Sequence, residues 1–155
     1  MTRISVLTAG KVHPRVRQRL ADVFDVVHLE RPDPALVTPE IAAKVRGATG
    51  FNGMPGALMS ALPNLEIVAN FGVGYDGVDV QHAAANGIMV TNTPDVLNEE
   101  VADTALGLLI NTVRLLPQAE TWLRQGRWVS DGAFRLSPLS LRGRTVGIYG
   151  LGRIG

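Results

Sequence analysis

Gly150-Leu151-Gly152-Arg153-Ile154-Gly155 closes the sequence as a G-x-G-x-x-G, directly after the apolar run Thr145-Val146-Gly147-Ile148-Tyr149. A short apolar run ahead of such a turn reads as a buried strand. In a dinucleotide-binding fold the first glycine makes the tight turn. The second lets the backbone approach a pyrophosphate, and the third lets helix and strand lie close together. The helix expected next would aim its free N–H groups at the phosphates. The sequence given ends at Gly155, so the reading expects a cofactor site of which only the opening is present. Taken alone, the motif leaves a second reading open: a tight strand–helix turn that needs glycine only for packing.

Upstream, short β-rich runs alternate with helical patterns. Strands are expected over residues 4–8, 26–29, 48–52, 66–70 and 88–91. Helices are expected over 14–23, 39–45, 57–62 and 80–85. In the first helix Val16, Leu20 and Val23 share a face. Thr38 and Asp79 are placed to cap the helices that follow them, and Gly87 stands just past the end of the last. Strand–helix alternation with such short connections predicts an α/β fold, a parallel sheet with helices on both faces.

After Thr93-Pro94-Asp95 the pattern changes. Residues 98–124 carry the longest helical pattern in the chain. Val101, Ala105, Leu109 and Val113 form a stripe that Ala102, Leu106 and Ile110 widen, so the helix is expected to be buried on most sides. Asn98 is expected to cap it, with Glu99 and Glu100 suited to its positive end. Pro117 removes a helical hydrogen bond and crowds the carbonyl of Val113, which predicts a kink or break. Gly126 ends the pattern, and residues 127–141 read as irregular.

Asn70-Phe71-Gly72-Val73-Gly74-Tyr75-Asp76-Gly77-Val78-Asp79 lies at the carboxyl end of a predicted strand, where open α/β sheets bind ligands. Gly72 and Gly74 leave backbone bare there, and successive N–H groups make a concave anion site. The amides of Val73 and Gly74 are placed to hold a carboxylate; a glycine-rich turn without a ligand is the equal alternative. Asp95, Glu99, Glu100 and Asp103 read as ordinary first-turn helix chemistry rather than a metal site. His13, His28 and His82 are scattered and read as structural or solvated. Trp122 and Trp128 flank a turn and are expected to pack against a partner subunit or a second domain.

The composition excludes several classes. Fifteen basic residues oppose fourteen acidic ones with no basic run, which argues against nucleic acid or an anionic membrane as partner. There is no cysteine, hence no disulfide framework and no thiolate metal site, which fits the cytoplasm. The N-terminal apolar stretch is too short for a signal peptide. The most apolar segment, 101–116, carries Asp103, Asn111 and Arg114 and reads as a buried helix, not a membrane span.

Six further stretches complete the picture. They are Ala61-Leu62-Pro63-Asn64-Leu65-Glu66-Ile67-Val68, Gly72 to Asp79 as quoted, Gly87-Ile88-Met89-Val90-Thr91-Asn92-Thr93-Pro94-Asp95-Val96-Leu97, Val101-Ala102-Asp103, Gly126-Arg127-Trp128 and Leu141-Arg142-Gly143. In this order and spacing, with the terminal glycines, they resemble the D-isomer-specific 2-hydroxyacid dehydrogenases, most closely the glyoxylate/hydroxypyruvate reductase branch. The likeness runs from about residue 45 to the end; earlier residues match only in pattern.

The resemblance implies a two-domain oxidoreductase, of which this chain is the N-terminal half. Residues 1–96 would be a flavodoxin-like substrate domain. Residues 97–155 would hold the connecting helix, a dimer arm around 113–140, and the first strand of a Rossmann NAD(P)-binding domain. It implies hydride transfer from NADPH or NADH, with a leaning towards NADP, to a small 2-keto acid, giving the D-2-hydroxy acid. A histidine would donate the proton, a glutamate would orient it and an arginine would grip the acid, because a developing alkoxide needs a proton and a fixed positive charge. All three would lie beyond Gly155, so no catalytic residue is assigned and the 155-residue piece alone is expected to be inactive. Met54, Val73, Gly74 and Leu97 would contact substrate. Val101 would approach the nicotinamide, and Gly150, Leu151, Gly152, Arg153, Ile154 and Gly155 would wrap the pyrophosphate. The rival from another class is a short non-catalytic protein that binds a carboxylate or another subunit through a vestigial arm.

Overall fold

A computed structural model describes residues 3–50 and 53–155. Phe51 and Asn52, the end of the expected third strand, lie outside the described residues. The chain divides into two compact units, Met1–Val96 and Leu97–Gly155.

The first unit runs β1 (Ser5–Ala9), α1 (Pro14–Val23), β2 (Asp25–Leu29), a 3-10 turn (Pro34–Leu36), α2 (Pro39–Lys44), β3 (Val45–Gly50), α3 (Gly56–Ser60), β4 (Ile67–Asn70), α4 (Val80–Ala85) and β5 (Met89–Thr91). All strand pairs are parallel, in the order β2-β1-β3-β4-β5. That is the flavodoxin-type order, with its reversal between β1 and β3. The alternation read from the sequence therefore stands, with several boundaries moved by one or two residues and the start of β3 by three: it begins at Val45, not Ala48, because α2 ends at Lys44.

Register lines Val27, Leu7, Ala48, Val68 and Val90 into one row across all five strands. That row meets Leu58, Met59, Leu62, Val78 and Ala83 from the connecting segments and forms the core. Successive residues of a strand point to opposite faces, so a single register fixes the whole set. Each fully buried Leu, Val or Met contributes about 1.5–3 kcal/mol. The helices start where polar side chains receive their free N–H groups. His13 accepts from Arg15 at α1, Thr38 from Ile41 at α2 and Asp79 from His82 at α4. In α1 no residue is fully buried, and Val23 is exposed.

The second unit holds α5 (Asn98–Arg114), α6 (Leu116–Arg124) and α7 (Arg127–Ser130). The helical pattern breaks at Leu115, whose φ is 57°, two residues ahead of Pro117. Proline has no N–H to give the Val113 carbonyl and its ring would crowd that oxygen, so the earlier helix ends and a new one begins with proline in its first turn.

Four expectations are corrected here. Leu97, not Asn98, takes the N-cap position of α5, without a side-chain hydrogen bond. No residue of α5, α6 or α7 is buried, so the apolar stripe of α5 is open rather than enclosed. Residues 127–130, read as irregular, form α7. Residues 145–149 form no strand, and Val146, Ile148 and Tyr149 are exposed. A strand is held by its neighbours' backbone groups, and the second unit contains no strand for this one to join.

Trp122 is also engaged inside its own unit. Its indole Nε1 donates to the Gly132 carbonyl at 3.0 Å, and the Phe134 ring meets it edge-on with centroids 5.8 Å apart. The Arg127 guanidinium lies 3.6 Å over its face while bonding Asp131 at 2.8 Å. That bond is the main reason the Asp131 carboxyl sits below the usual carboxylate range. Trp128 remains half exposed.

Candidate functional site

Strand β4 ends in Asn70, a buried polar residue at the foot of the loop 71–78. A buried amide needs partners, and Asn70 finds them in the loop itself. Its Nδ2 donates to the carbonyls of Gly72 (3.3 Å) and Gly74 (2.9 Å). From the end of the neighbouring strand β5, Asn92 Nδ2 donates to the Val73 carbonyl (2.8 Å) and the Thr93 N–H to the Gly72 carbonyl (3.0 Å). Three consecutive carbonyls are thus tied down. Among the described residues, no hydrogen bond uses the N–H of Val73 or Gly74. The Asp76 carboxylate stands close, 3.3 Å from where a Cβ on Gly74 would lie. Any anion held at residues 73–74 is therefore held by amide dipoles, with no positive side chain among the loop's own residues.

The far end of the loop is stapled to the segment after β3. Met54 N–H donates to the Gly77 carbonyl (2.8 Å), Asp79 N–H donates to the Met54 carbonyl (3.1 Å), and Met54 bridges Val78 as an isolated β-pair. The Met54 side chain itself is buried in the core. It underlies the loop rather than lining an open surface. Val73 and Tyr75 are exposed. A hollow of about 270 Å³ adjoins the loop on the β5 side, lined by Tyr75, Val80, Val90, Thr91 and Asn92. Beside the β1/β3 reversal, the usual ligand position in this topology, a hollow of about 10 Å³ lies among the described residues between Lys11, His13, Thr49, Gly50 and Phe71. That is at most the space of one water, so the loop after β4 is the better candidate.

In the second unit Leu97 and Val101 are half exposed at the start of α5. The terminal glycines can be tested for their fit to a dinucleotide. Gly150 has φ 93°, a conformation open to glycine and rare for other residues, and its carbonyl accepts the Gly152 N–H at 2.9 Å. A Cβ on Gly155 would lie 2.7 Å from the Gly150 carbonyl and 2.9 Å from Leu151 Cα, whereas Gly152 faces open space. Gly150 thus turns the chain, Gly152 stays bare and Gly155 lies against the backbone of residues 150–151, without the strand on which a pyrophosphate loop is built. Leu151, Arg153 and Ile154 are exposed beside them.

The sequence profile of the D-isomer specific 2-hydroxyacid dehydrogenase catalytic domain matches residues 6–146. The chain belongs to this family. Its resemblance to an NADPH-dependent glyoxylate/hydroxypyruvate reductase of Sinorhizobium meliloti, solved with NADP and malonate, is close. Identity is 66%, with a TM-score of 0.93 over 99% of this chain and 48% of that one. A 2-hydroxyacid dehydrogenase of Ketogulonicigenium vulgare matches at 37% identity with a TM-score of 0.86, over 99% of this chain and 49% of that one. Glyoxylate/hydroxypyruvate reductase A of Arabidopsis thaliana is 38% identical over all of this chain and 50% of its own length. The chain spans about half the length of these relatives.

Three residues of the site were not singled out from the sequence: Asn70 and Asn92, whose amides hold the loop, and Gly53, where a Cβ would lie 2.5 Å from the Gly77 carbonyl. The available signal was two asparagines closing adjacent β-rich runs beside a glycine-rich loop. Among the described residues no three His, Asp or Glu side chains converge on a metal-sized site, and no helix is long and apolar enough to cross a membrane. His13, His28 and His82 each hold a local polar contact, with Arg15 N–H, Thr8 Oγ1 and Ser60 Oγ respectively.

Proposed function

We propose that the protein carrying this sequence reduces a small 2-keto acid of the glyoxylate or hydroxypyruvate type to the D-2-hydroxy acid with NADPH. The observation that carries this is the pair of unpaired N–H groups at Val73 and Gly74 beside three anchored carbonyls. Such a pair matches the two oxygens of a carboxylate, and amides fixed beforehand lose little on binding. Malonate in the Sinorhizobium relative is a small dicarboxylate of the same chemistry, and NADP in that relative supports the choice of cofactor.

On this reading residues 1–96 are the substrate domain, with Val73 and Gly74 as the carboxylate clamp, Met54 fixing the loop from beneath and Leu97 on the substrate side. Gly150, Leu151, Gly152, Arg153, Ile154 and Gly155 hold the cofactor's diphosphate, and Val101 lies towards its nicotinamide. The bound cofactor supplies the hydride. The proton donor, its orienting acid and the substrate-gripping arginine belong outside these 155 residues. The arm around residues 113–140 pairs with a second copy; exposed Trp128, Val129 and Leu136 favour that role. The lack of cysteine suits a cytoplasmic enzyme.

The test is steady-state kinetics of the complete protein with hydroxypyruvate and glyoxylate. NADPH oxidation is expected with both. Gly74→Val is expected to raise the Michaelis constant for the keto acid by about tenfold or more, the loss of roughly one charge-assisted hydrogen bond. The constant for NADPH should hold. No turnover would favour a non-catalytic carboxylate-binding protein, and an unchanged keto-acid constant would remove the clamp.

A further inference from the structure

We propose that Asn70 and Asn92 are positioning residues that aim the Val73 and Gly74 N–H groups at the substrate carboxylate; the inference rests on the clamp reading above. A trans peptide is planar, with its C=O and N–H pointing in opposite directions. Among the described residues there are no cis peptide bonds. The Val73 N–H shares its peptide unit with the Gly72 carbonyl, and the Gly74 N–H shares its unit with the Val73 carbonyl. Asn70 and Thr93 hold the first of these carbonyls, and Asn92 holds the second at 2.8 Å. Holding the oxygens against the sheet end turns both N–H groups away from it.

The sheet places the two asparagines for this work. The last registered pair between β4 and β5 is Ala69 with Thr91, so Asn70 closes β4 and Asn92 directly follows β5. Only the NH₂ half of an amide side chain donates. Asn70 spends its NH₂ on Gly72 and Gly74, and Asn92 spends its own on Val73. Asn70 is buried, so water does not readily replace it. A carbonyl that accepts a hydrogen bond also polarises its own peptide, which strengthens the N–H at the other end as a donor. The two side chains thus orient the clamp and sharpen it without touching the substrate.

The experiment is calorimetric binding of malonate, and separately of NADPH, to the complete protein and to Asn92→Leu, which keeps the bulk and removes the donor. Malonate is expected to bind about tenfold more weakly, as for one lost hydrogen bond to a charged group, with the NADPH dissociation constant within about twofold of wild type. A general structural role would shift both constants, or lower only the melting temperature; either result overturns the inference. If Asn92→Leu does not fold, Asn92→Ser is read in the same way. Gly74→Val is the reference. If it weakens malonate binding and Asn92→Leu does not, the positioning role alone fails. If Gly74→Val itself leaves malonate binding unchanged, the clamp reading falls and the positioning role with it.

Discussion

The carbonyl of Gly77 decides what can stand at position 53. A Cβ on Gly53 would lie 2.5 Å from that oxygen, and the backbone there has φ 93°. Both obstacles are backbone, so no rotamer relieves them. Gly53→Ala is therefore expected to push the 72–78 loop away from the sheet end. The left-handed backbone alone costs on the order of 1–2 kcal/mol. The measurement is the melting temperature together with the keto-acid Michaelis constant of the complete protein: the first should fall and the second rise. An unchanged pair would mean the loop is not seated on residue 53. At this scale the sequence was half legible. Gly72 and Gly74 announce bare backbone by their type alone. Gly53 and Asn92 owe their roles to Gly77 and Val73, about 20 residues away in the chain, a relation that no local pattern carries, whereas Asn70 acts on Gly72 and Gly74 just ahead of it.

Among the elements, the βα alternation could be read because a strand row such as Val27, Leu7, Ala48, Val68 and Val90 leaves an apolar mark in each run. The run at 145–149 carries the same mark and forms no strand, because apolar character makes a strand possible and a paired neighbour makes it real. The stripe of α5 likewise predicts burial without containing the surface that would bury it. Asp25 shows what joins elements at the other end of the sheet. Its Oδ2 accepts from Ser5 Oγ (2.7 Å) and pairs with Lys44 Nζ (3.1 Å), linking β1, β2 and α2. The Ser5 hydrogen bond first, and Lys44 second, hold its carboxyl below the ordinary range. The folded state thus favours the ionised form. The resulting stability is fully present above the unfolded pKa and disappears as pH falls through the lower, folded one. The melting temperature of the complete protein should drop between about pH 5 and pH 3, and Asp25→Asn should flatten that drop. At neutral pH the variant should melt lower, with the gap closing in acid. A gap that stays constant with pH would contradict the assignment.

The molecule as a whole is uneven. The first unit has a closed core, whereas in the second no helix residue is buried and Leu106, Leu108, Trp128, Val129 and Leu136 are exposed. Exposed apolar surface on that scale calls for partners. The complete protein is expected to be a dimer by light scattering, and Val129→Asp with Leu136→Asp to shift it towards monomer; a mass unmoved by the pair would place the dimer contact elsewhere. The 155-residue chain alone is expected to bind a hydrophobic dye strongly and to show no turnover. Turnover by the short chain would mean that the catalytic groups lie within it. The family was readable because several motifs keep their order over most of the chain, a coincidence far rarer than one glycine motif. The choice of keto acid was not, since Gly72, Val73 and Gly74 offer only backbone to a carboxylate, which every 2-keto acid carries. The most direct measurement is a crystal structure of the complete protein with NADP and malonate. The Val73 and Gly74 nitrogens are each expected to lie within about 2.7–3.2 Å of a carboxylate oxygen. A carboxylate seated elsewhere, with those two amides facing water, would contradict it.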